Sequence, residues 1–169
     1  MSQKQFFTGK GPRMALQYFS RHGACAGDSL TPEGIQSLQR TREILVEKGF
    51  TSDFVFCSPS KRCIQTARIL APKAKISELD ELKIQNIYSL YLDTRHNDAA
   101  YQNIVALIDC FMPDLIVSHS CSPIIIALKL IERRSIAPLD WNGQKYASQC
   151  LQKGSGVLVH DTQFEYIDA

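Results

Sequence analysis

The sequence predicts an α/β fold, a three-layer α/β/α domain with a mostly parallel central sheet. Short apolar segments of strand length alternate along the chain with longer segments that carry apolar residues at helical spacing. The chain has 169 residues, of which 44% are hydrophobic, and this fits one domain, 1–169, with a sizeable core. Residues 1–13 are polar and end in Gly-Lys-Gly-Pro, so we expect a loose leader there.

The first strand–helix unit follows this leader. The apolar run at residues 14–20 predicts the first strand. Thr31 suits an N-cap, Pro32 suits the first helical position, and Gly49 is expected to end the helix. The apolar residues of this helix are expected on one face: Ile35, Leu38, Leu45 and Val46.

The second unit begins with residues 53–57, which predict a short buried strand. Ser58 and Pro59 are expected to open the next helix, whose apolar members include Ile64 and Leu70. Residues 76–82 suggest a further short strand, although charged residues interrupt its apolar pattern.

The second half of the chain continues the alternation. Pro113 is expected to end a helix over residues 101–111, and a second helix is expected to start at Ser122. The strands predicted around these helices cover residues 115–118, 157–160 and 164–167, the last two as a closing pair. Residues 83–100 and 135–150 give no clear pattern.

Charge and cysteine content exclude several classes of protein. The net charge of +2 is too small to favour nucleic acid or an anionic membrane as partner. No apolar run approaches the roughly 20 residues of a membrane helix. The six cysteines form no Cys-x-x-Cys pair and the histidines are not at zinc spacing, so no metal site is expected. The N-terminal residues lack the apolar core of a secretory signal, so we expect free thiols and a cytoplasmic location.

Three of the predicted strand ends carry arginine or histidine. Arg21 and His22 follow the first strand, Arg62 lies in the first turn of the second helix, and His119 and Ser120 follow a later buried strand. The carboxyl ends of parallel strands meet at one edge of the sheet, where helix N-termini also point. Charges placed there are costly unless they are paired, and the arginine fork matches phosphate oxygens. The sequence therefore predicts a pocket for a compact dianion such as phosphate.

The motifs at these positions resemble those of the histidine phosphatase superfamily, which has the phosphoglycerate-mutase-like fold. They occur in the order RHG at 21–23, LTPEG at 30–34, SPSKRCIQTA at 58–67 and VSHS at 117–120, and GSGVLV at 154–159 resembles the last core strand of the family. The resemblance implies that His22 is the nucleophile, that Arg21 and Arg62 clamp the phosphoryl oxygens, and that His119 completes the pocket. Ser120 is expected to bind phosphate beside His119. Because these cationic and neutral groups can replace a metal, no cofactor is expected.

The proton donor to the leaving group has two candidates. The family usually supplies a glutamate or aspartate between the second helix and the second histidine, and Glu81 best resembles that position. Asp28, in the loop after His22, is the second candidate. Each residue can equally be a solvated surface acid. The sequence also departs from the family at Ala24, where many members carry an acid, and at Ser120, where glycine is common.

The favoured function is a phosphatase whose phosphorylated substrate is a histidine-phosphorylated protein. In length and motif order the chain most resembles compact phosphohistidine phosphatases, and a phosphorus–nitrogen bond makes little demand on a proton donor. One alternative is a phosphatase of small sugar or ester phosphates, with recognition by Arg95, His96, Trp141 and Lys145. A further alternative is a phosphate-binding module without catalysis.

A cysteine phosphatase is a separate alternative, because Cys57 and Arg62 have the Cys-x5-Arg spacing. The loop of such an enzyme wraps phosphate with backbone N–H groups. Pro59 removes one of these donors, which favours a helix start over a phosphate loop.

Overall fold

The structure of the protein is a computed structural model, which describes residues 16–83, 98–120, 122–134, 151–160 and 163–168. In the first part of the chain, the strands and helices are β1 (Gln17–Arg21), β2 (Cys25–Ala26), β3 (Ser29–Leu30), α1 (Pro32–Glu47), β4 (Phe54–Cys57), α2 (Lys61–Leu70) and β5 (Lys75–Glu78). A short 3₁₀ helix, Asp80–Lys83, follows. The later elements are α3 (Asp98–Phe111), β6 (Leu115–Ser118), α4 (Ser122–Arg134), β7 (Gly156–His160) and β8 (Gln163–Ile167).

Six of these strands form one sheet in the order β5-β4-β6-β1-β7-β8, and β2 and β3 form a separate two-stranded ribbon. The pairs β5–β4, β4–β6 and β6–β1 are parallel, whereas β1–β7 and β7–β8 are antiparallel. The predicted α/β class with a mostly parallel sheet is therefore confirmed, with the antiparallel pairs at one side.

The two faces of the sheet carry separate apolar layers. Tyr18 and Val117 belong to a cluster that also contains residues of α1 and α2, such as Leu38 and Ala67. Adjacent residues of the same strands, Phe19 and Ile116 among them, belong to a second cluster with residues of α3 and α4, which include Ile104, Ile108, Ile126 and Leu130. Successive side chains of a strand point to opposite faces. The helices consequently cover both faces, as the predicted three-layer architecture requires.

Helix α1 starts and ends as the sequence predicts. Thr31 is the N-cap, its Oγ1 accepts a hydrogen bond from the Gly34 N–H at 3.1 Å, and Pro32 occupies the first helical position. The helix ends at Glu47, and Gly49 adopts a φ of 80°, which glycine accepts without strain.

The apolar face predicted for α1 is wrong in two members. Leu38 and Leu45 are buried, but Ile35 is 38% exposed and Val46 is 60% exposed. Val46 follows Leu45 directly and is rotated from it by about 100° around the helix axis. The buried face repeats every three or four residues and consists of Gly34, Leu38, Thr41 and Leu45.

Helix α2 begins later than predicted. The sequence places its start at Ser58 and Pro59, but the helix starts at Lys61 with Ser60 as its N-cap. The Ser58 N–H donates to the Val117 carbonyl oxygen at 3.0 Å. The chain therefore stays in the sheet one residue beyond β4, and it needs Pro59 and Ser60 to turn into the helix.

The strand predicted over residues 76–82 is also shorter than expected. β5 ends at Glu78, which pairs with Cys57, the last residue of β4. The Leu79 N–H still donates to the Cys57 carbonyl oxygen at 2.9 Å, and the 3₁₀ helix then takes up the remaining residues. The predicted leader and residues 135–150 lie outside the described residues.

Close packing explains the glycine of the LTPEG motif. A Cβ atom on Gly34 would collide with the backbone of Ala24, which lies in the segment directly after Arg21-His22-Gly23. The Thr31 N–H donates to the Ala24 carbonyl oxygen at 2.9 Å. The start of α1 is therefore packed directly against the segment that follows His22.

The described residues also bear on two expectations from the sequence, which concern membrane helices and the cysteine thiols. Their helices are all too short or too polar to cross a membrane. Cys25, Cys57, Cys63 and Cys110 are free, as predicted for the thiols, while Cys121 and Cys150 lie outside the described residues.

Candidate active site

Three adjacent parallel strands bring the predicted site residues to one edge of the sheet. The order β4-β6-β1 places the carboxyl ends of these strands side by side. The pairing continues past the strands, because the His22 N–H donates to the Ser118 carbonyl oxygen at 3.1 Å. Arg21, His22 and His119 thus occupy neighbouring strand ends, and Arg62 lies in the first turn of α2.

The segment before β7 holds the backbone of the first two residues. β7 runs antiparallel to β1, so its first residue lies at the same edge. The Gly154 N–H donates to the His22 carbonyl oxygen and the Arg21 N–H donates to the Ser155 carbonyl oxygen, both at 3.0 Å. The Arg21 guanidinium donates to the Leu151 carbonyl oxygen. Together with the bond from the His22 N–H to Ser118, these bonds hold the backbone of Arg21 and His22 between the end of β6 and the segment before β7.

The His22 ring has the protonation pattern of a nucleophile. Its Nδ1 lies 2.8 Å from the Gly23 carbonyl oxygen, and a carbonyl only accepts, so we assign the proton to Nδ1. Burial lowers the pKa of His22 to about 4, and the charges of Arg62, Arg21 and Lys153 act in the same direction. At neutral pH the ring is therefore uncharged, and Nε2 carries a free lone pair.

His119 lies beside His22 in a similar environment. The two ring centroids are 5.3 Å apart and the ring planes make an angle of 66°. Burial lowers the pKa of His119 to about 4, with further contributions from His22, Arg62 and Arg21. Its Nε2 is 2.8 Å from the Ser58 Oγ. Two uncharged imidazoles therefore lie side by side in a cationic surrounding.

The lowered pKa values predict that stability depends on pH. Between pH 4 and 6.5 the unfolded chain binds protons at both rings that the folded protein does not bind. The free energy of unfolding therefore rises with pH across this window, and acidification removes stability on the order of a few kcal/mol. Urea unfolding at each pH measures this slope. A His22→Gln/His119→Gln variant should show a shallower slope, and equal slopes would contradict the assignment.

Arg62 is oriented by the turn between β2 and β3. Its Nη1 lies 3.4 Å from the Gly27 carbonyl oxygen and 3.6 Å from Asp28 Oδ1. Its Nε is buried and has no hydrogen-bond partner among the described residues. A buried unpaired donor is costly, and an anion at this edge of the sheet would satisfy it.

Thr66 links the first turn of α2 to the chain after His22. Its Oγ1 accepts from the Gly23 N–H at 3.0 Å and donates to the Arg62 carbonyl oxygen at 2.8 Å. The Gln65 side chain accepts from the Leu30 N–H at 2.9 Å. Sequence reasoning gave neither residue a role, although both lie in the SPSKRCIQTA motif.

Ser120 has a backbone conformation that glycine adopts more easily than serine does. Its φ is 46°, in the left-handed region that glycine adopts most easily. The residue follows His119 and is partly exposed. A role in phosphate binding remains a prediction.

The two candidate proton donors lie in different surroundings. Asp28 is exposed, and its carboxylate accepts the Lys61 N–H at 3.3 Å in addition to the Arg62 contact. Glu81 is exposed in the 3₁₀ helix and forms no hydrogen bond or ion pair with a described residue. The neighbouring Leu82 carbonyl oxygen accepts from the Ser118 Oγ at 2.9 Å. Glu81 therefore lies near the same edge, but no contact joins it to the histidines in the described parts.

The cysteine phosphatase alternative does not fit the geometry. Cys57 is fully buried in β4, between β5 and β6. Burial raises the pKa of its thiol to about 12, so almost none of it is the reactive thiolate at neutral pH. Its segment is a strand rather than a phosphate loop, and the Cys-x5-Arg spacing is coincidental.

Two further residues at this edge were missed from the sequence. Ser58 contacts His119, and Lys153, which is exposed in the segment before β7, adds positive charge near His22. The sequence offered one sign that each residue lies at the site. Ser58 is the first residue of the SPSKRCIQTA motif, and Lys153 directly precedes the GSGVLV run. The candidate recognition residues lie outside the described residues: Arg95, His96, Trp141 and Lys145.

A metal site does not occur in the described ranges, where no group of three or more histidine, cysteine or acidic side chains is suited to hold an ion. The arrangement places an uncharged imidazole within the electrostatic influence of Arg21 and Arg62, a combination that suits phosphoryl transfer. The fold and this site define the class of a phosphatase with a histidine at its centre.

One protein-family model matches the chain. Residues 18–94 match the model of the histidine phosphatase superfamily (branch 1), and this range contains Arg21, His22 and Arg62. The predicted resemblance to the histidine phosphatase superfamily is therefore confirmed over these residues.

Solved structures agree with this assignment. A phosphoserine phosphatase from Entamoeba histolytica, in complex with 3-phosphoglyceric acid, matches with a TM-score of 0.60 at 16% identity, over 92% of this chain and 98% of that chain. An alpha-ribazole phosphatase from Shigella flexneri gives 0.56 at 18% identity, over 91% and 96%. The protein histidine phosphatase SixA, complexed with tungstate, gives 0.54 at 17% identity, over 89% and 93%. At these identities the likeness establishes the fold.

Proposed function

We propose that the protein hydrolyses phosphorylated substrates through a phosphohistidine formed on His22, and that its favoured substrate is a histidine-phosphorylated protein. The observation that carries this proposal is the pairing of the uncharged His22 with His119 at a ring distance of 5.3 Å. Both rings lie within the electrostatic influence of Arg21 and Arg62. A nucleophile and positive charge are thus combined at one point.

The chemistry proceeds in two displacements. The Nε2 lone pair of His22 attacks phosphorus, a phosphorus–nitrogen bond forms, and the bond to the leaving group breaks with its electron pair. Arg21 and Arg62 neutralise the charge on the phosphoryl oxygens. Water then attacks phosphorus, and inorganic phosphate leaves while His22 regains its lone pair. Two easier steps replace one difficult hydrolysis.

The surroundings of the two candidate proton donors, Asp28 and Glu81, favour a phosphoramidate substrate. An ester oxygen leaves as an alkoxide unless an acid protonates it, whereas an imidazole can leave already protonated on its other nitrogen. Among the described residues no carboxyl group contacts His22 or His119; Asp28 contacts Arg62 and Glu81 is exposed. This arrangement suits the less demanding leaving group.

A comparison of substrates tests the proposal. Phosphate release is measured, with a chelator present, from a histidine-phosphorylated carrier protein, an aryl phosphate and a panel of sugar phosphates. We expect release from the carrier protein to be fastest. Strong release from one sugar phosphate and none from the carrier would move the function to small-molecule metabolism. Phosphate binding without any release would identify a non-catalytic module.

A Glu81→Gln variant tests the leaving-group argument with the same substrates. We expect slower hydrolysis of the aryl phosphate, by about tenfold or more if Glu81 donates the proton, and little change with the phosphohistidine protein. Asp80→Asn is the matched control, because Asp80 is an exposed neighbour whose carboxylate pairs with Lys83. Equal slowing of both substrates by Glu81→Gln would remove the leaving-group argument.

A further inference from the structure

Ser58 contacts His119 across two neighbouring strands. Ser58 is fully buried directly after β4, and its N–H donates to the Val117 carbonyl oxygen. Its Oγ lies 2.8 Å from His119 Nε2, an ordinary distance for a hydrogen bond made by a hydroxyl group. The backbone bond holds Ser58 in register with β6, so the side-chain contact is built into the sheet.

Cys63 adds a second group on the same side of the ring. Its Sγ is 3.7 Å from His119 Nε2 and 3.8 Å from the Ser118 carbonyl oxygen. The thiol is fully buried, and burial raises its pKa to about 11, so it keeps its proton at neutral pH. Ser58 and Cys63 together occupy the Nε2 side of His119. Of the two ring nitrogens, only Nδ1 then remains to meet a substrate.

The direction of the hydrogen bond between Ser58 and His119 follows from the protons that each group carries. His119 is uncharged at neutral pH, so one of its nitrogens carries a proton and the other does not. A proton on Nε2 would be donated to Ser58, whose own hydroxyl proton would be left with the Cys63 sulfur, a weak acceptor. If Ser58 donates to Nε2 instead, the thiol donates to the Ser118 carbonyl oxygen. The hydroxyl proton and the thiol proton then each have a nitrogen or oxygen acceptor, and the ring proton of His119 is left on Nδ1.

We propose that Ser58 is a positioning residue that donates its hydroxyl proton to His119 Nε2 and thereby fixes His119 in the tautomer with its proton on Nδ1. This role rests on the proposed phosphoryl-transfer function, in which His119 meets the phosphoryl oxygens. An Nδ1–H donates to such an oxygen, whereas an unprotonated Nδ1 would direct a lone pair at it. Ser58 thus makes His119 a hydrogen-bond donor without making it a cation.

The tautomer is measured directly in the protein without substrate. A two-dimensional ¹H–¹⁵N spectrum of the histidine rings distinguishes protonated from unprotonated nitrogens. We expect His119 Nε2 to be unprotonated and Nδ1 to be protonated in the wild type, and a mixture of tautomers in Ser58→Ala. A wild-type proton on Nε2 overturns the proposal, as does a spectrum that Ser58→Ala leaves unchanged.

Kinetics supply the second measurement, with an aryl phosphate as the probe. We expect Ser58→Ala to lower kcat by about tenfold with KM nearly unchanged, the loss that corresponds to one hydrogen bond that acts in the transition state. Ser58→Thr keeps the hydroxyl and should restore most of kcat. Ser60→Ala is the matched control, because the Ser60 Oγ is also buried and forms no hydrogen bond with His119. Equal losses in Ser58→Ala and Ser60→Ala would indicate a structural effect and contradict the proposal.

The two proposals fail in different ways. If the substrate assignment is wrong, the tautomer in the wild type and its change in Ser58→Ala are unaffected, because the spectra contain no substrate. If Ser58 has no positioning role, hydrolysis through His22 continues and the tautomer is independent of Ser58. Thermal unfolding of each variant shows that it is folded before it is compared.

Discussion

The His22→Ala variant is expected to lose turnover of every phosphorylated substrate, by roughly 10⁴-fold or more. The reason is specific to the site: the Nδ1 bond to the Gly23 carbonyl oxygen leaves the His22 Nε2 lone pair free to attack phosphorus. The positive groups around it remain in the variant. Phosphate binding should therefore persist while phosphate release stops, and both are measured on the same preparation.

Cys57→Ser is the control for this result. Cys57 is fully buried in β4, and serine is close to it in size, so we expect activity near that of the wild type together with some loss of stability. Retained activity in His22→Ala, combined with loss of activity in Cys57→Ser, would transfer the nucleophile to the thiol. That outcome would contradict the account of the site.

Arg62→Ala is expected to have the next largest effect, a loss of about 10²- to 10³-fold in kcat. The Arg62 side chain is only 23% exposed, its Nη1 is held near Gly27 and Asp28, and its Nε is buried without a partner among the described residues. A preorganised donor of this kind contributes most where charge develops in the transition state. Steady-state kinetics with an aryl phosphate measure the loss.

Two further variants separate charge from position. Arg62→Lys keeps the charge but loses the planar fork, so we expect it to recover only part of the activity. Arg68→Ala removes an exposed arginine from the last turn of the same helix, and its kinetics should match those of the wild type. Similar losses in Arg62→Ala and Arg68→Ala would mean that the net charge of α2 matters rather than a specific contact.

Topology explains why much of the site was predictable. Arg21, His22 and His119 each follow a short apolar run, and parallel strands bring their ends to one edge whatever the details of packing. Thr31 and Pro32 act locally, so their capping roles could be predicted from the sequence alone.

The remaining features depend on contacts between distant parts of the chain. The buried face of α1 is set by its docking on the sheet, which the apolar pattern around Ile35 and Val46 does not specify. The Ser58–His119 bond joins residues 61 positions apart, and it requires the register of β4 against β6. The place of Glu81 relative to the histidines likewise depends on where β5 ends. Sequence spacing determines none of these distances.

The phosphorylated enzyme itself tests the central claim most directly. A substrate with a labelled phosphoryl group is mixed with the protein, the reaction is quenched with base within milliseconds, and the labelled peptide is identified. We predict label on His22 that is stable in base and lost in acid, and no label on the His22→Ala variant. Label that is stable in acid, that maps to Cys57, or that persists in His22→Ala would contradict a phosphohistidine mechanism.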